Sequence, residues 1–327
     1  MDETRLSVRS GVALTLIGVA MGMGGCAAED APEVSSGDES AVSSALSQTS
    51  PTVNWTQVTG LLRDVDASHS NARWGIDTHP YGDGFTVVKW VTDRWQQRPM
   101  GAVQIAVAND IPWVVTASGQ VYKATTNNGT SWTKLPDLPD GDSATTIAAF
   151  DGAPGLTVWV LGRPDSRLAG NGKSYLFDRS GGWIRGGFAA RRIALNCAPG
   201  PAFDIAMLDA DGYLLVGVNA HTSTPLFQLE DNGSHIPSRN DVAIARGWNA
   251  ISPPNEFIWD FRFGPFVTQA GPLPVDMLKV AKSSGGTITL TSTNNWPFST
   301  QPIAVSADCS DNRIWVVTSD NRLYYAY

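Results

Sequence analysis

Cysteine, histidine and basic charge are all scarce in this chain of 327 residues. Three cysteines exclude a small disulfide-stapled scaffold, and the four histidines (His69, His79, His221, His235) form no HExxH motif, nor is there a CxxC. No metal centre and no cofactor are expected. Only 17% of the residues are charged, and 23 bases against 31 acids give a formal net charge of -8. A general nucleic-acid binder would carry a basic footprint, so nucleic acid is not an expected partner. Beyond Pro51 no window keeps an apolar period near 3.6 residues, so helices are not expected to build the fold. The uncharged apolar stretch from Gly11 to Gly25 is too short to cross a bilayer core of ~30 Å as a helix.

That stretch follows Arg5 and Arg9 and ends at Cys26, which reads as a removable signal peptide. Met23-Gly24-Gly25-Cys26 resembles a bacterial lipobox, with Met23 where leucine is usual. The resemblance implies that Cys26 is diacylated on sulfur and becomes the first mature residue; ordinary secretion with loss of Cys26 is the alternative. Ala27 to Ser50 holds Glu29, Asp30, Glu33, Asp38 and Glu39, many serines and no base. So little apolar surface cannot offset the entropy of ordering, so residues 27–50 are expected to be a flexible tether between the signal peptide (1–26) and a folded region (51–327). Ala27 and Ala28 lack the aspartate of Gram-negative inner-membrane retention signals. The resemblance therefore implies an envelope protein lipid-anchored in the outer membrane, if the source is Gram-negative. The tether carries most of the acidity, leaving 24 acids and 21 bases from Pro51 to Tyr327.

The folded region is rich in short Val, Ile, Trp and Tyr runs between Gly, Asn, Asp and Pro clusters, the pattern of many short antiparallel strands. Val103 to Pro136 reads as four of them: Gln104 to Ala108, Trp113 to Ala117, Gln120 to Ala124 and Ser131 to Leu135. Pro302 to Tyr327 supplies the first three of the same set and stops, while Val53 to Val58 looks like an isolated fourth. A ring in which the N-terminal strand completes the last blade accounts for both loose ends. Apolar first-strand markers Val65, Ile105, Ile147, Ile205, Val242 and Ile303 recur at roughly 40 to 60 residues. The expected fold is therefore all-β, a six-bladed β-propeller of four-stranded antiparallel blades. In this register Trp74, Trp113, Trp159, Trp259 and Trp315 fall on second strands and Trp55, Trp95, Trp132 and Trp183 on fourth strands, where a large ring fills the wedge between twisted sheets.

The succession IAV, turn, WVV, SGQVYK, SWTKLP resembles the tectonin repeat, a unit of β-propellers of which several are lectins. Thr125 to Trp132 is similar to the Asp-box of sialidase-type propellers, with Asn127 in place of the family's aspartate; Asp231-Asn232-Gly233 is a partial second copy. Asp-boxes are structural turns and name a fold, not a reaction.

In such a blade, second-to-third-strand turns and inter-blade links share one face. Thr78 to Gly84, Arg163 to Gly172, Gly186 to Ala202, Gly264 to Val275 and Trp296 to Gln301 are assigned there, and Arg246 to Glu256 to the other face. Insertions gathered on one face of a repeat protein mark its binding surface. His79, Tyr81, Arg163, Asp165, Asn171, Phe266 and Trp296 are the candidate ligand contacts, with Arg167, Arg191 and Arg192 nearby. Aromatic rings with planar polar partners suit a sugar, whose C–H face stacks while its hydroxyls hydrogen-bond. The expected ligand is thus a carbohydrate or glycoconjugate, bound by a monomer without catalysis. The alternatives are an Asp-box glycosidase, for which no catalytic constellation is found, and a scaffold that docks an envelope protein. Asp209 to Gly212 lacks the further ligands of a calcium loop and reads as a plain turn. Cys197 and Cys309 are assigned to opposite faces, which opposes a disulfide between them.

Overall fold

The computed structural model describes residues 55–67, 72–152, 155–178, 180–195, 205–211, 214–218, 222–229, 239–246, 256–262, 276–282, 288–293, 300, 302–308 and 313–326; through 226–293 this covers the backbone alone. Cys26, Phe266 and Trp296 lie outside the described residues.

All the strand ladders are antiparallel and run as meanders. The first sheet holds β1 (Thr56–Ala67), β2 (Arg73–Pro80), β3 (Phe85–Val91) and β4 (Arg94–Ala102). The second holds β5 (Gln104–Ala108), β6 (Ile111–Val115), β7 (Val121–Ala124) and β8 (Trp132–Lys134). The third holds β9 (Thr146–Gly152), β10 (Gly155–Asp165), β11 (Asn171–Phe177) and β12 (Trp183–Ala190). The fourth holds β13 (Arg192–Leu195), β14 (Ile205–Leu208), β15 (Leu214–Val218) and β16 (Leu226–Leu229). The fifth holds β17 (Arg239–Arg246), β18 (Glu256–Arg262), β19 (Asp276–Lys282) and β20 (Ile288–Thr293). The chain ends in β21 (Pro302–Asp308), β22 (Arg313–Thr318) and β23 (Arg322–Ala326), which join the first sheet through β1 in the order β21-β22-β23-β1-β2-β3-β4.

The long strand β1 is the junction. Its first part pairs with β23, Thr56 opposite Tyr325 and Val58 opposite Leu323, and its second part pairs with β2, Leu62 opposite Asp77 and Ala67 opposite Arg73. The register breaks between Val58 and Leu61, at Gly60. Its φ of +117° is open to glycine, and a Cβ there would lie 2.7 Å from the Trp95 ring. The N-terminal strand therefore partners the last strand of the chain, as the two loose ends of the repeat require, and then runs on unbroken.

First strands of successive sheets lie side by side: β1 with β5, β5 with β9, β9 with β13, β13 with β17, β17 with β21, and β21 with β1. Meanders set round a closed circle of first strands make a β-propeller. Two buried or half-buried carboxylates on β1 tie its neighbours together. Asp64 accepts the backbone N–H of Ile105 at 2.9 Å, and Asp66 accepts that of Val107 at 2.6 Å while receiving the hydroxyl of Ser306 on β21. Adjacent sheets share no ladder here, so these side chains satisfy donors that strand pairing leaves open.

Between the sheets lie the apolar clusters. One joins Trp74, Ile76 and Val87 to Ile105, Val107 and Val114. A second joins Trp113 and Val115 to Ile147, Val160 and Tyr175, a third Trp159 and Leu161 to Ile193 and Met207, and a fourth Val65 and Val88 to Ala304, Trp315 and Leu323. Trp74, Trp113 and Trp159 are wholly buried and Trp315 nearly so, all on second strands, while Trp95, Trp132 and Trp183 are half-buried on fourth strands. Trp259 also falls on its expected second strand, β18. The Asp-box-like turn between β7 and β8 is used in packing. Gly129, at φ +63°, presses on the far edge of the Trp74 ring, and the ammonium of Lys89 donates to the Asn127 carbonyl at 2.6 Å.

The fourth sheet departs from the expected register. Ile205 lies on its second strand, β14, opposite Leu195, and the first strand is β13, with Ile193 opposite Met207. The reason is the missing marker: β14 reads Ile-Ala-Met-Leu, with no tryptophan to identify a second strand, and only Arg191 separates β12 from β13. The stretch from Gly186 to Ala202 is thus not an inter-blade insertion. Through Leu195 it is strand apart from Arg191. Cys197 and Cys309, assigned from the sequence to opposite faces, lie outside the described residues. Asp231 to Gly233 also lie outside the described residues. On β21 Ile303 is 41% exposed, and Val305 holds the buried place.

Candidate binding face

Second-to-third-strand turns and the links between sheets emerge together on one face. Among the described residues this face carries 81–84, 116–120, 135–145, 166–170, 209–211 and 319–321, with the adjoining strand ends. Successive turns from 81–84 to 209–211 are fastened through accepted backbone N–H groups, by a short polar side chain in three places and by a backbone carbonyl alone in one. The Asp83 carboxylate takes Ser118 N–H at 3.2 Å, together with the Ser118 hydroxyl, and its own carbonyl takes Ala117 N–H at 3.0 Å. Gly119 O takes Ala144 N–H at 2.9 Å. Asp142 Oδ1 takes Arg163 N–H at 3.1 Å, and Asn171 Oδ1 takes Ala210 N–H at 2.7 Å. The result is a continuous rim across four sheets.

The residues singled out from the sequence fall in two parts of this rim. His79 and Tyr81 sit where β2 turns to β3. The exposed His79 ring lies 3.1 Å from Asp77, and Tyr81, 47% exposed, closes a tight turn by donating its N–H to Gly84 O. Gly101 lies so close beneath that a Cβ would overlap the Tyr81 carbonyl. Arg163 and Asp165 end β10 and Asn171 begins β11, on either side of the turn 166–170. There Asp165 accepts Arg167 N–H at 2.9 Å, capping the 3₁₀ turn Ser166–Leu168, and Asn171 spends its oxygen on Ala210 and its nitrogen on Leu168 O at 3.1 Å. The Arg163 side chain is exposed. Arg191 and Arg192 lie at the next link, where Arg191 N–H donates to Leu208 O at 2.7 Å. The second sheet stands between the His79–Tyr81 pair and the Arg163–Asn171 group.

Between those two groups is a cleft that sequence reasoning missed. It has a volume of about 240 Å³ and is walled by Ser118 to Val121 on one side and by Pro136 to Leu138 with Gly141 to Ser143 on the other. Asp142 is its most constrained residue. Oδ1 accepts both Ser143 and Arg163 N–H, and Oδ2 accepts the Tyr175 hydroxyl at 2.9 Å. Burial first, and then the bond to Asp142, raise the Tyr175 phenol above its ordinary value. Gly162 must be glycine, because a Cβ would sit 2.0 Å from Asp142 Oδ2. The only clue in the sequence was Asp-Leu-Pro-Asp-Gly-Asp, a link of unremarkable length.

The Asp83 fastening depends on pH. Hydrogen bonds from the Ser118 and then the Thr116 side chains hold the Asp83 carboxyl below its ordinary value. A depressed carboxyl contributes stability above its unfolded value and loses it as pH falls through the folded one. Below about pH 4 the Ala117 and Ser118 amides are expected to lose protection relative to their intrinsic exchange rates, and Asp83→Asn is expected to remove that pH dependence. Amide hydrogen exchange followed by NMR between pH 6 and 3 checks this.

No family model matches the chain, and no curated protein matches it. Among solved structures, a chain of the mitotic checkpoint complex is similar at 13% identity and a TM-score of 0.52, covering 91% of this chain and 96% of that one. YCF48 from Cyanidioschyzon merolae is similar at 13% identity and a TM-score of 0.48, over 84% of this chain and 98% of that one. The Dos1 propeller has the same identity and TM-score, over 84% and 94%. At such identity the likeness concerns the fold alone.

Proposed function

We propose that this chain is a six-bladed β-propeller that binds carbohydrate on the face bearing the rim, without catalysing a reaction. Residues 1–26 act as a lipoprotein-type signal peptide, 27–50 as a tether, and lipidated Cys26 holds the protein in the cell envelope, at the outer membrane of a Gram-negative source. The blade count rests on the circle of first strands, with the first part of β1 as the fourth strand of the last blade. The tectonin-like succession in residues 103–136 supports the lectin reading by resemblance.

The observation that carries the binding reading is the rim itself. Turns from four sheets are fastened to one another by Asp83, Asp142 and Asn171, which gives a rigid polar surface at low ordering cost. These acceptors hold backbone amides, and that use favours a positioning role over proton transfer. Applied to a glycan array, the chain without its first 26 residues is expected to bind a restricted set of glycans, competed by the free sugar. Absence of binding on the array and on whole cells overturns the reading. Recovery of a stoichiometric protein partner insensitive to sugar replaces it with a docking scaffold, and cleavage of fluorogenic glycosides replaces it with a glycosidase.

A further inference from the structure

We infer that the cleft between Ser118–Val121 and Pro136–Ser143 receives a single neutral sugar ring of the bound glycan; this rests on the carbohydrate reading and names its site. Size is the first argument. About 240 Å³ lies below the ~300–1,000 Å³ typical of pockets for drug-sized ligands, and suits one ring with its hydroxyls.

The walls supply what a polyhydroxylated ring needs. Gln120 accepts the Tyr122 hydroxyl on Oε1 at 3.1 Å, which leaves its amide NH₂ to donate. Ser143 uses its backbone N–H on Asp142, and its hydroxyl has no partner among the described residues. Asp142 has three of its roughly four acceptor sites occupied, with room for one more donor. One amide donor, one hydroxyl of either sense and one carboxylate acceptor match a ligand whose every hydroxyl both gives and takes. Pro136 and buried Leu138 add apolar surface for the ring's C–H face.

Charge argues for a neutral ligand. Asp137 is paired with Lys134 at 2.8 Å, and Asp140 has Lys173 at 3.7 Å and Arg185 at 3.8 Å. Asp137 and Asp140 are thus countered by cations, and Asp142 is held by two backbone amides and a phenol, which leaves it as an acceptor for a neutral hydroxyl. The site is also held ready. Gly119, at φ +82°, lets the Ser143 side chain approach until its Cβ would lie 2.4 Å from a Cβ on Gly119, and the Trp183 indole donates to Pro136 O at 2.8 Å. A cleft fixed before binding loses little entropy when filled.

The test is binding of array-positive glycans, and of the methyl glycosides of glucose, galactose, mannose, N-acetylglucosamine, N-acetylgalactosamine and fucose, to the chain without its first 26 residues. Titration and saturation-transfer NMR are the readouts. Gln120→Ala and Ser143→Ala are expected to weaken binding ~5-fold each, the loss of one hydrogen bond apiece, with unchanged thermal unfolding. Thr126→Ala, in the exposed turn between β7 and β8 on the opposite face, is expected to leave affinity unchanged. If a sugar binds and both cleft variants match the parent, the cleft assignment is overturned while the carbohydrate reading stands. If no sugar binds the parent, both fall together.

Discussion

Trp74→Ala is expected to lower the free energy of unfolding by ~3–5 kcal/mol, the range for removing a large aromatic from a close-packed core. Trp74 is wholly buried between the first two sheets. Its ring supports Gly129 of the neighbouring turn, and the Lys89 ammonium lies 5.2 Å from its centroid. The contact is between sheets, so the cavity would open at a seam where no strand ladder resists separation. The Lys89 bond to Asn127, which spans that seam, should weaken as well. Urea unfolding of parent and variant, followed by far-ultraviolet circular dichroism, measures the loss. Trp74→Phe should recover more than half of it, because the smaller ring still fills much of the wedge. An unchanged midpoint for Trp74→Ala would show that the inter-sheet core does not hold the ring together.

Removal of the chain through Thr59 is expected to cost on the order of 3–5 kcal/mol relative to a chain beginning at Pro51, from lost ladder bonds and from exposure of apolar surface. Thr56, Gln57 and Val58 pair with Tyr325, Tyr324 and Leu323. Without them β23 becomes an open edge, and the cluster of Val58, Trp315 and Leu323 loses a side. Unpaired edges recruit other chains, so the shortened protein should also associate at concentrations where the longer one does not. Analytical ultracentrifugation beside thermal unfolding tests both effects; a monomeric, equally stable truncation would remove β1 as the closing strand.

The propeller was legible because its packing writes itself into spacing. Second strands carry tryptophan wherever a large ring must fill the wedge, so Trp74, Trp113, Trp159, Trp259 and Trp315 mark the repeat without any knowledge of contacts. The same rule misled in the fourth sheet, where Met207 stands in the core cluster and no indole marks β14. Connections were assigned by length, and length does not separate a loop from a strand: Gly186 to Ala190 continues β12. The polar architecture was not legible at all. Asp64 and Asp66 read as ordinary charges on a strand, and only the closed circle brings Ile105 and Val107 N–H to them. Likewise Asn171, proposed from the sequence as a ligand contact, has both polar groups engaged within the rim, while the cleft arises from a turn and a link too modest to attract notice.

The pairing of Thr56 with Tyr325 has a consequence for chain order. The two ends of the folded region meet as neighbours on adjacent strands, so the ring has no preferred starting point other than the one genetics supplies. A short peptide could join them, and the chain could be cut anew at an exposed turn such as Gly181 without changing which strands pair. Circular permutants of this kind would move the chain ends round the circumference one sheet at a time while the rim of fastened turns stayed as it is.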